Sequence, residues 1–241
     1  MPHPPFPLEG GCDCRHVRYR MLAAPLIVHC CHCRWCQRET GSAFALNAMI
    51  ESDWVIELAG APELIHTPSE SGEGQQIARC PHCKVALWSH YAGAGPLVKF
   101  VRVGTLDTPD HLPPDIHIFT ASKQPWVVLP ADARAVPEYY ERESVWSPEA
   151  LARREVLRPR IEAYQAQRLA QKQAQRQAQK QVQQQAQQQA QMPAPAQLQM
   201  QAQAQSQQQT LQQAPAGPPV VPRLVAARRA AAPAVRSTKQ R

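Results

Sequence analysis

The chain lacks two things that bound its reading: any acidic residue after Glu162, and any run near the ~20 apolar residues that a membrane helix needs. The second absence excludes a helical membrane span. The first divides the charge. Residues 1–162 hold 16 Lys/Arg against all 19 Asp/Glu, a net of −3, whereas residues 163–241 hold 10 Lys/Arg and no acid, a net of +10. Residues 1–10 (MPHPPFPLEG) have neither a basic start nor an apolar core, so no secretory signal is expected. A reducing, cytoplasmic setting is the corresponding expectation for the cysteines.

The basic part is also compositionally separate. It holds 25 glutamines between Gln165 and Gln213, interleaved mostly with alanine, before a Pro/Ala/Arg-rich end. Residues 160–191 have good helix propensity. Their apolar positions, Ala166, Ala170, Ala174, Ala178, Val182, Ala186 and Ala190, repeat every four residues. Such a stripe advances about 40° per step and winds around a helix without forming a seam. Residues 141–241 therefore read as a helical or disordered, solvated extension. Arg223, Arg228, Arg229, Arg236, Lys239 and Arg241 offer the alternative of contact with nucleic acid, against which stands the lack of interleaved aromatics.

Residues 1–140 read as one domain. Apolar alternation and β-branched runs predict short strands near 14–21, 26–31, 43–50, 55–59, 63–67, 75–80, 86–91, 97–106 and 117–121, with one helical turn over 34–40. Regular short strands with turn signals between them predict a mainly β fold, a sandwich or open barrel stapled by metal.

Seven of the eight cysteines form three clusters: Cys12-x-Cys14, Cys31-x-Cys33-x-x-Cys36 and Cys80-x-x-Cys83. Cysteines at i and i+2 of an extended segment share a face and do not close an unstrained disulfide. Thiolate-bound zinc fits better. Four sulfurs close a structural site, and three leave a position open, as a catalytic zinc does. Cys12 and Cys14, read as lying on a strand, can join Cys80 and Cys83; by spacing alone Cys33/Cys36 with Cys80/Cys83 fits equally well. In the middle cluster, alternation puts Cys31 and Cys33 on one face and Cys30 and His32 on the other, and a turn returns Cys36 to the first. A histidine, His29, His32 or His117, is the alternative fourth ligand there, and Cys30 reads as a small buried hydrophobe.

The motifs resemble those of a known family. Gly10-Gly11-Cys12-Asp13-Cys14-Arg15-His16-Val17-Arg18-Tyr19 is similar to its G-x-C-x-C-G-x-x-x-Y. Cys31-His32-Cys33-Arg34-Trp35-Cys36-Gln37-Arg38-Glu39-Thr40-Gly41-Ser42 is similar to its C-H-C-x-x-C-R-x-x-T-G-S. Arg79-Cys80-Pro81-His82-Cys83, Val101-Arg102-Val103-Gly104-Thr105-Leu106-Asp107, and Pro114-Asp115-Ile116-His117-Ile118-Phe119 with the later Pro125-Trp126 match its F-C-x-x-C-G, V-x-x-G-T-L-D and P-x-x-H-I-F…W. Together they resemble the glutathione-dependent formaldehyde-activating enzyme and centromere protein V family. Arg15 and Lys84 stand where that family has glycines, and Arg79 where it has an aromatic.

The resemblance implies a β-tent fold with two zinc ions: a structural one on Cys12, Cys14, Cys80 and Cys83, and an open one on Cys31, Cys33 and Cys36. It implies a carbon–sulfur lyase that joins glutathione, or a similar small thiol, to formaldehyde. His117 is the candidate acid/base. Trp35 is a candidate pocket wall, and Arg34, Arg38, Lys99 and Arg102 are candidate anchors for glutathione's carboxylates. Asp107 reads as a turn cap. The alternatives are another small thiol or aldehyde adduct, or a non-catalytic zinc module docked to nucleic acid by its tail.

Overall fold

The computed structural model describes residues 6–69 and 71–191. Ten strands run in chain order: β1 (Leu8–Gly11), β2 (Arg18–Met21), β3 (Ile27–Cys31), β4 (Ala45–Glu51), β5 (Val55–Ala59), β6 (Glu63–Thr67), β7 (Gln75–Arg79), β8 (Ala86–Tyr91), β9 (Val98–Arg102) and β10 (Ile116–Ile118). Helix α1 (Arg34–Thr40) sits between β3 and β4, and helix α2 (Pro148–Gln191) follows the strands.

The strands form two sheets that do not close into a barrel, β1-β2-β5 and β10-β3-β4-β9-β8-β7-β6. All pairings are antiparallel except β10 with β3. The central strands bury both faces, which is why they read as nearly continuous apolar runs. Val28, Ala48, Ile50 and Val101 point toward the three-stranded sheet and meet Leu8, Val17, Tyr19, Met21 and Val55. Ile27, Cys31, Met49 and Val98 point the other way.

That second face is covered from beyond the strands. Trp146, Ala150, Leu157 and Ile161 are buried on it, and Arg153 donates to both carboxylate oxygens of Glu51 at 2.9 and 2.5 Å. Residues through Arg176 form one compact unit. The second unit starts at Gln177 and is described only as the helix up to Gln191, with the side chains of residues 177–188 exposed. The arginines and lysine of the 223–241 segment lie outside the described residues.

One local expectation is corrected. Cys12 and Cys14 are not on a strand, because β1 ends at Gly11 and β2 starts at Arg18. They lie in a tight turn closed by the Arg15 amide donating to the Cys12 carbonyl at 3.0 Å. A turn of this kind converges two sulfurs as well as strand alternation would.

Candidate metal centre and pocket

The first constellation gathers Cys12, Cys14, Cys80 and Cys83, whose sulfurs all lie within 4.8 Å of one another. Cys12 Sγ to Cys14 Sγ is 3.5 Å and Cys14 Sγ to Cys80 Sγ is 3.6 Å. A zinc tetrahedron with bonds of about 2.3 Å has sulfur–sulfur edges of about 3.8 Å, so the spacing fits an ion. Backbone amides already face the sulfurs: Val17 N–H donates to Cys12 at 3.2 Å and His82 N–H to Cys80 at 3.4 Å. Amides of Cys14 and Val85 hold the Cys83 thiol down at about 6. The rings of His16 and His82, one from each turn, stack at 3.8 Å.

The second constellation is Cys31, Cys33 and Cys36, each at most 6% exposed and again within 4.8 Å of one another. Cys31 ends β3. Cys33 caps α1, its sulfur accepting the Cys36 amide at 3.3 Å. Gln37 locks the loop: its side-chain amide donates to the carbonyls of His32 (2.6 Å) and Ser122 (2.9 Å). Its oxygen accepts from Arg34 and Gln124. Gly41 closes the helix at φ +65°, a left-handed position that glycine takes without steric penalty.

The electrostatics of this trio favour a cation. Hydrogen bonds from Cys31 and Cys36, helped by the amides of Cys36 and Trp35, hold the Cys33 thiol down at about 3. The hydrogen bond with Cys33 pushes Cys31 up to about 12, and Cys31 and Cys33 together drive Cys36 far above the usual thiol range. One thiolate is stabilised by its two neighbours, whereas three together need a positive charge among them. Among the described residues, no fourth Cys, His, Asp or Glu groups with the trio.

His29 is on the same face of β3, with its Nε2 2.5 Å from the Tyr140 hydroxyl, and burial lowers its pKa to about 4. His32 and His117 are elsewhere. The parallel register sets His117 beside Cys30, and the His117 Nδ1 lies 3.0 Å from His32 Nε2, which lies 3.6 Å from Cys30 Sγ. This Cys30–His32–His117 group occupies the opposite face, so the structure brings His117 to His32 and not to the three cysteines.

A pocket of about 370 Å³ opens beside Cys31, Cys33 and Cys36. Of the five residues expected at the substrate, only Trp35 lines it. Arg34 and Arg38 are exposed and line a separate cavity with Gln124 and Trp126. Lys99 is buried on the other face of β9, 4.2 Å over the Trp88 ring and 3.7 Å from Glu57. Arg102 backs the pocket at one remove, donating to Oδ1 of the lining residue Asn47 at 2.6 Å and to Ser89 at 3.4 Å. Asp107 does not cap a turn; its carboxylate pairs with both terminal nitrogens of Arg18. The lining residues Asn47, Tyr91, Phe100, Phe119 and Tyr139 were not singled out by sequence. Strand parity with Cys31 through the β3–β4–β9 register would have exposed Asn47 and Phe100.

A family model described as glutathione-dependent formaldehyde-activating enzyme matches residues 7–122, which include all seven clustered cysteines. Residues 7–122 belong to this family. A Halomonas elongata protein with the provisional name glutathione-dependent formaldehyde-activating enzyme is 25% identical over 127 residues, covering 51% of this chain and 80% of its own. A crystal structure of a Rhodobacter sphaeroides protein is 20% identical, covers 42% of this chain and 88% of its own, and has a TM-score of 0.33. Tyr139, Tyr140 and α2 lie beyond the family match.

Proposed function

We propose that this chain is a zinc-dependent carbon–sulfur lyase that forms and breaks thiol–aldehyde adducts, with S-hydroxymethylglutathione from glutathione and formaldehyde as the family reaction. The observation that carries the reading is the buried trio Cys31, Cys33 and Cys36 on one side of a pocket, with no fourth ligand grouped with it among the described residues. In the condensation a sulfur–carbon bond forms, the carbonyl π bond opens, and the thiol proton ends on the former carbonyl oxygen. The reverse reaction restores thiol and aldehyde. No oxidant or reductant is involved.

Cys31, Cys33 and Cys36 would hold one zinc, and Cys12, Cys14, Cys80 and Cys83 a second, structural one. A bound zinc with an open position supplies a place where a substrate sulfur is kept as thiolate at neutral pH. The protein's own part is to fix the trio through the Cys33 cap and the Gln37 lock, and to exclude water with the pocket wall. Trp35 is proposed to contact substrate. Arg102 orients Asn47 from behind, and Arg34 and Arg38 are proposed to attract acidic substrates toward α1. His117 acts only by orienting His32 behind the loop, and Lys99 belongs to the core. Eight unbridged thiols suit a reducing compartment such as the cytoplasm.

The test is exchange NMR of glutathione, formaldehyde and their adduct with the full chain and with Cys33→Ser, whose hydroxyl retains the helix cap. Faster exchange that the folded variant loses is the expected result. Equal rates with and without protein would refute the reading.

A further inference from the structure

The wall of the pocket beside Cys31, Cys33 and Cys36 does not match the family's smallest aldehyde. Trp35, Tyr91, Phe100, Phe119 and Tyr139 line it, together with Ile118. Aromatics make up only 6% of the chain, so five of them around one pocket is a local concentration. Tyr91 and Phe100 meet edge to face at 4.7 Å, and Phe119 and Tyr139 are 6.3 Å apart. Among the described residues no Lys, Arg, Asp or Glu lines this space. Its polar groups are largely engaged already: His29 with Tyr140, Asn47 with Arg102, and Ser69 with Ser71.

Volume argues the same way. At a water's share of about 30 Å³ per heavy atom, a formaldehyde unit takes about 60 Å³. The pocket offers about 370 Å³. Glutathione does not account for the difference, because its two carboxylates and ammonium would need counter-charges that the described lining does not present.

Two features mark the wall as built. Phe119 is held at φ +56°, a left-handed conformation unusual for an aromatic, with its amide fixed to the Glu138 carbonyl at 2.8 Å. Tyr139 stacks on Tyr140 at 4.8 Å, and Tyr140 is tied both to His29 and to the Trp146 indole, which donates to its hydroxyl at 2.9 Å. This strap comes from sequence beyond the family match at 7–122. The indole N–H of Trp35, another lining residue, is buried without a hydrogen-bond partner.

We infer that the aldehyde half of the adduct carries an aromatic or branched apolar group, seated between Trp35, Tyr91, Phe100, Phe119 and Tyr139. The substrate class is then the thiohemiacetal of a hydrophobic aldehyde. This rests on the proposed adduct chemistry at the three cysteines. The balance is unchanged: sulfur bonds to the carbonyl carbon, and the thiol proton moves to its oxygen.

The experiment compares enzyme acceleration of glutathione addition to phenylacetaldehyde and to formaldehyde, using the full chain and exchange NMR. The expected ratio of accelerations favours phenylacetaldehyde by at least tenfold. Tyr139→Ala is expected to cut that ratio about tenfold; Tyr139 is 54% exposed, so the variant tests the wall without emptying the core. In parallel, benzyl alcohol is titrated as an unreactive probe and followed through the Trp35 indole resonance, with and without zinc. Saturable shifts that weaken in Tyr139→Ala are expected. A ratio at or below one, or no binding of benzyl alcohol, overturns the inference. Benzyl alcohol binding with no acceleration for either aldehyde leaves the apolar site standing and refutes the adduct chemistry alone.

Discussion

Arg15 and Lys84 adopt the same unusual backbone, at φ +59° and +62°, and each closes its turn by donating its amide to the carbonyl of the first cysteine, Cys12 or Cys80, at 3.0 Å. These are the two positions where the resembling motif carries glycine. The left-handed conformation costs a non-glycine residue about 1–2 kcal/mol, of which the greater unfolded-state entropy of glycine takes back about 0.5–1 kcal/mol. Arg15→Gly is therefore expected to stabilise the folded protein by about 0.5–1 kcal/mol. Lys84→Gly should gain less, because it also loses the exposed ion pair with Glu63 at 3.2 Å. Thermal unfolding at fixed zinc concentration measures both, and a lower Tm for Arg15→Gly would contradict the account.

The two cysteine constellations should respond differently to metal loss. The first ties the β1–β2 turn to the β7–β8 turn, two segments far apart in sequence, and the structural zinc proposed there would contribute on the order of 10 kcal/mol to folding. Cys80→Ser should leave the chain largely unfolded by circular dichroism. Cys36→Ser should remove one equivalent of zinc by elemental analysis while the β signal persists, since Cys36 sits on a seven-residue helix already held by Gln37. Equal unfolding in both variants would show that the trio, too, is structural.

Alternation alone separated Cys31 and Cys33 from Cys30 and His32, and the helical turn at 34–40 coincides with α1. Local period and turn chemistry were enough there, because those residues are neighbours in the chain. The place of His117 was not legible, because it depends on a parallel pairing across nearly ninety residues. The separation of Lys99 from Arg102 is legible in strand parity: three residues apart on one strand, they face opposite sides. The covering of the second sheet face was hidden by composition. The glutamine-rich composition of α2 masks its first turns, where Ala150, Leu157 and Ile161 fall seven and four residues apart on one helical face, with Trp146 just before the helix.

That packing has a direct consequence. Leu157 is 4% exposed against the second sheet face, and Leu157→Ala is expected to destabilise by about 2–5 kcal/mol. Ending the chain after residue 140 should be worse, since it uncovers the strands that Trp146 and α2 bury and removes the Arg153–Glu51 pair. Ending it after residue 176 should retain the stability of the full chain. Urea titration of the three proteins measures this; a 1–140 fragment as stable as the full chain would place α2 outside the folding unit.

His90 sets an acid limit on stability. It is 7% exposed on β8, and its Nδ1 faces the carbonyls of Val98 at 2.8 Å and Gly95 at 3.2 Å, so the neutral ring donates one proton to the backbone. Burial lowers its pKa below the ordinary 6.5, with Lys99 adding in the same direction and the two carbonyls opposing. The unfolded chain therefore takes up the proton first as pH falls. The stabilisation is fully present above about pH 6.5 and declines as pH drops from there through the folded value. His90→Gln can still donate to a carbonyl but does not titrate. Its stability should fall less steeply than wild type between pH 7 and pH 5 in urea titrations, and an unchanged slope would remove His90 from the acid response.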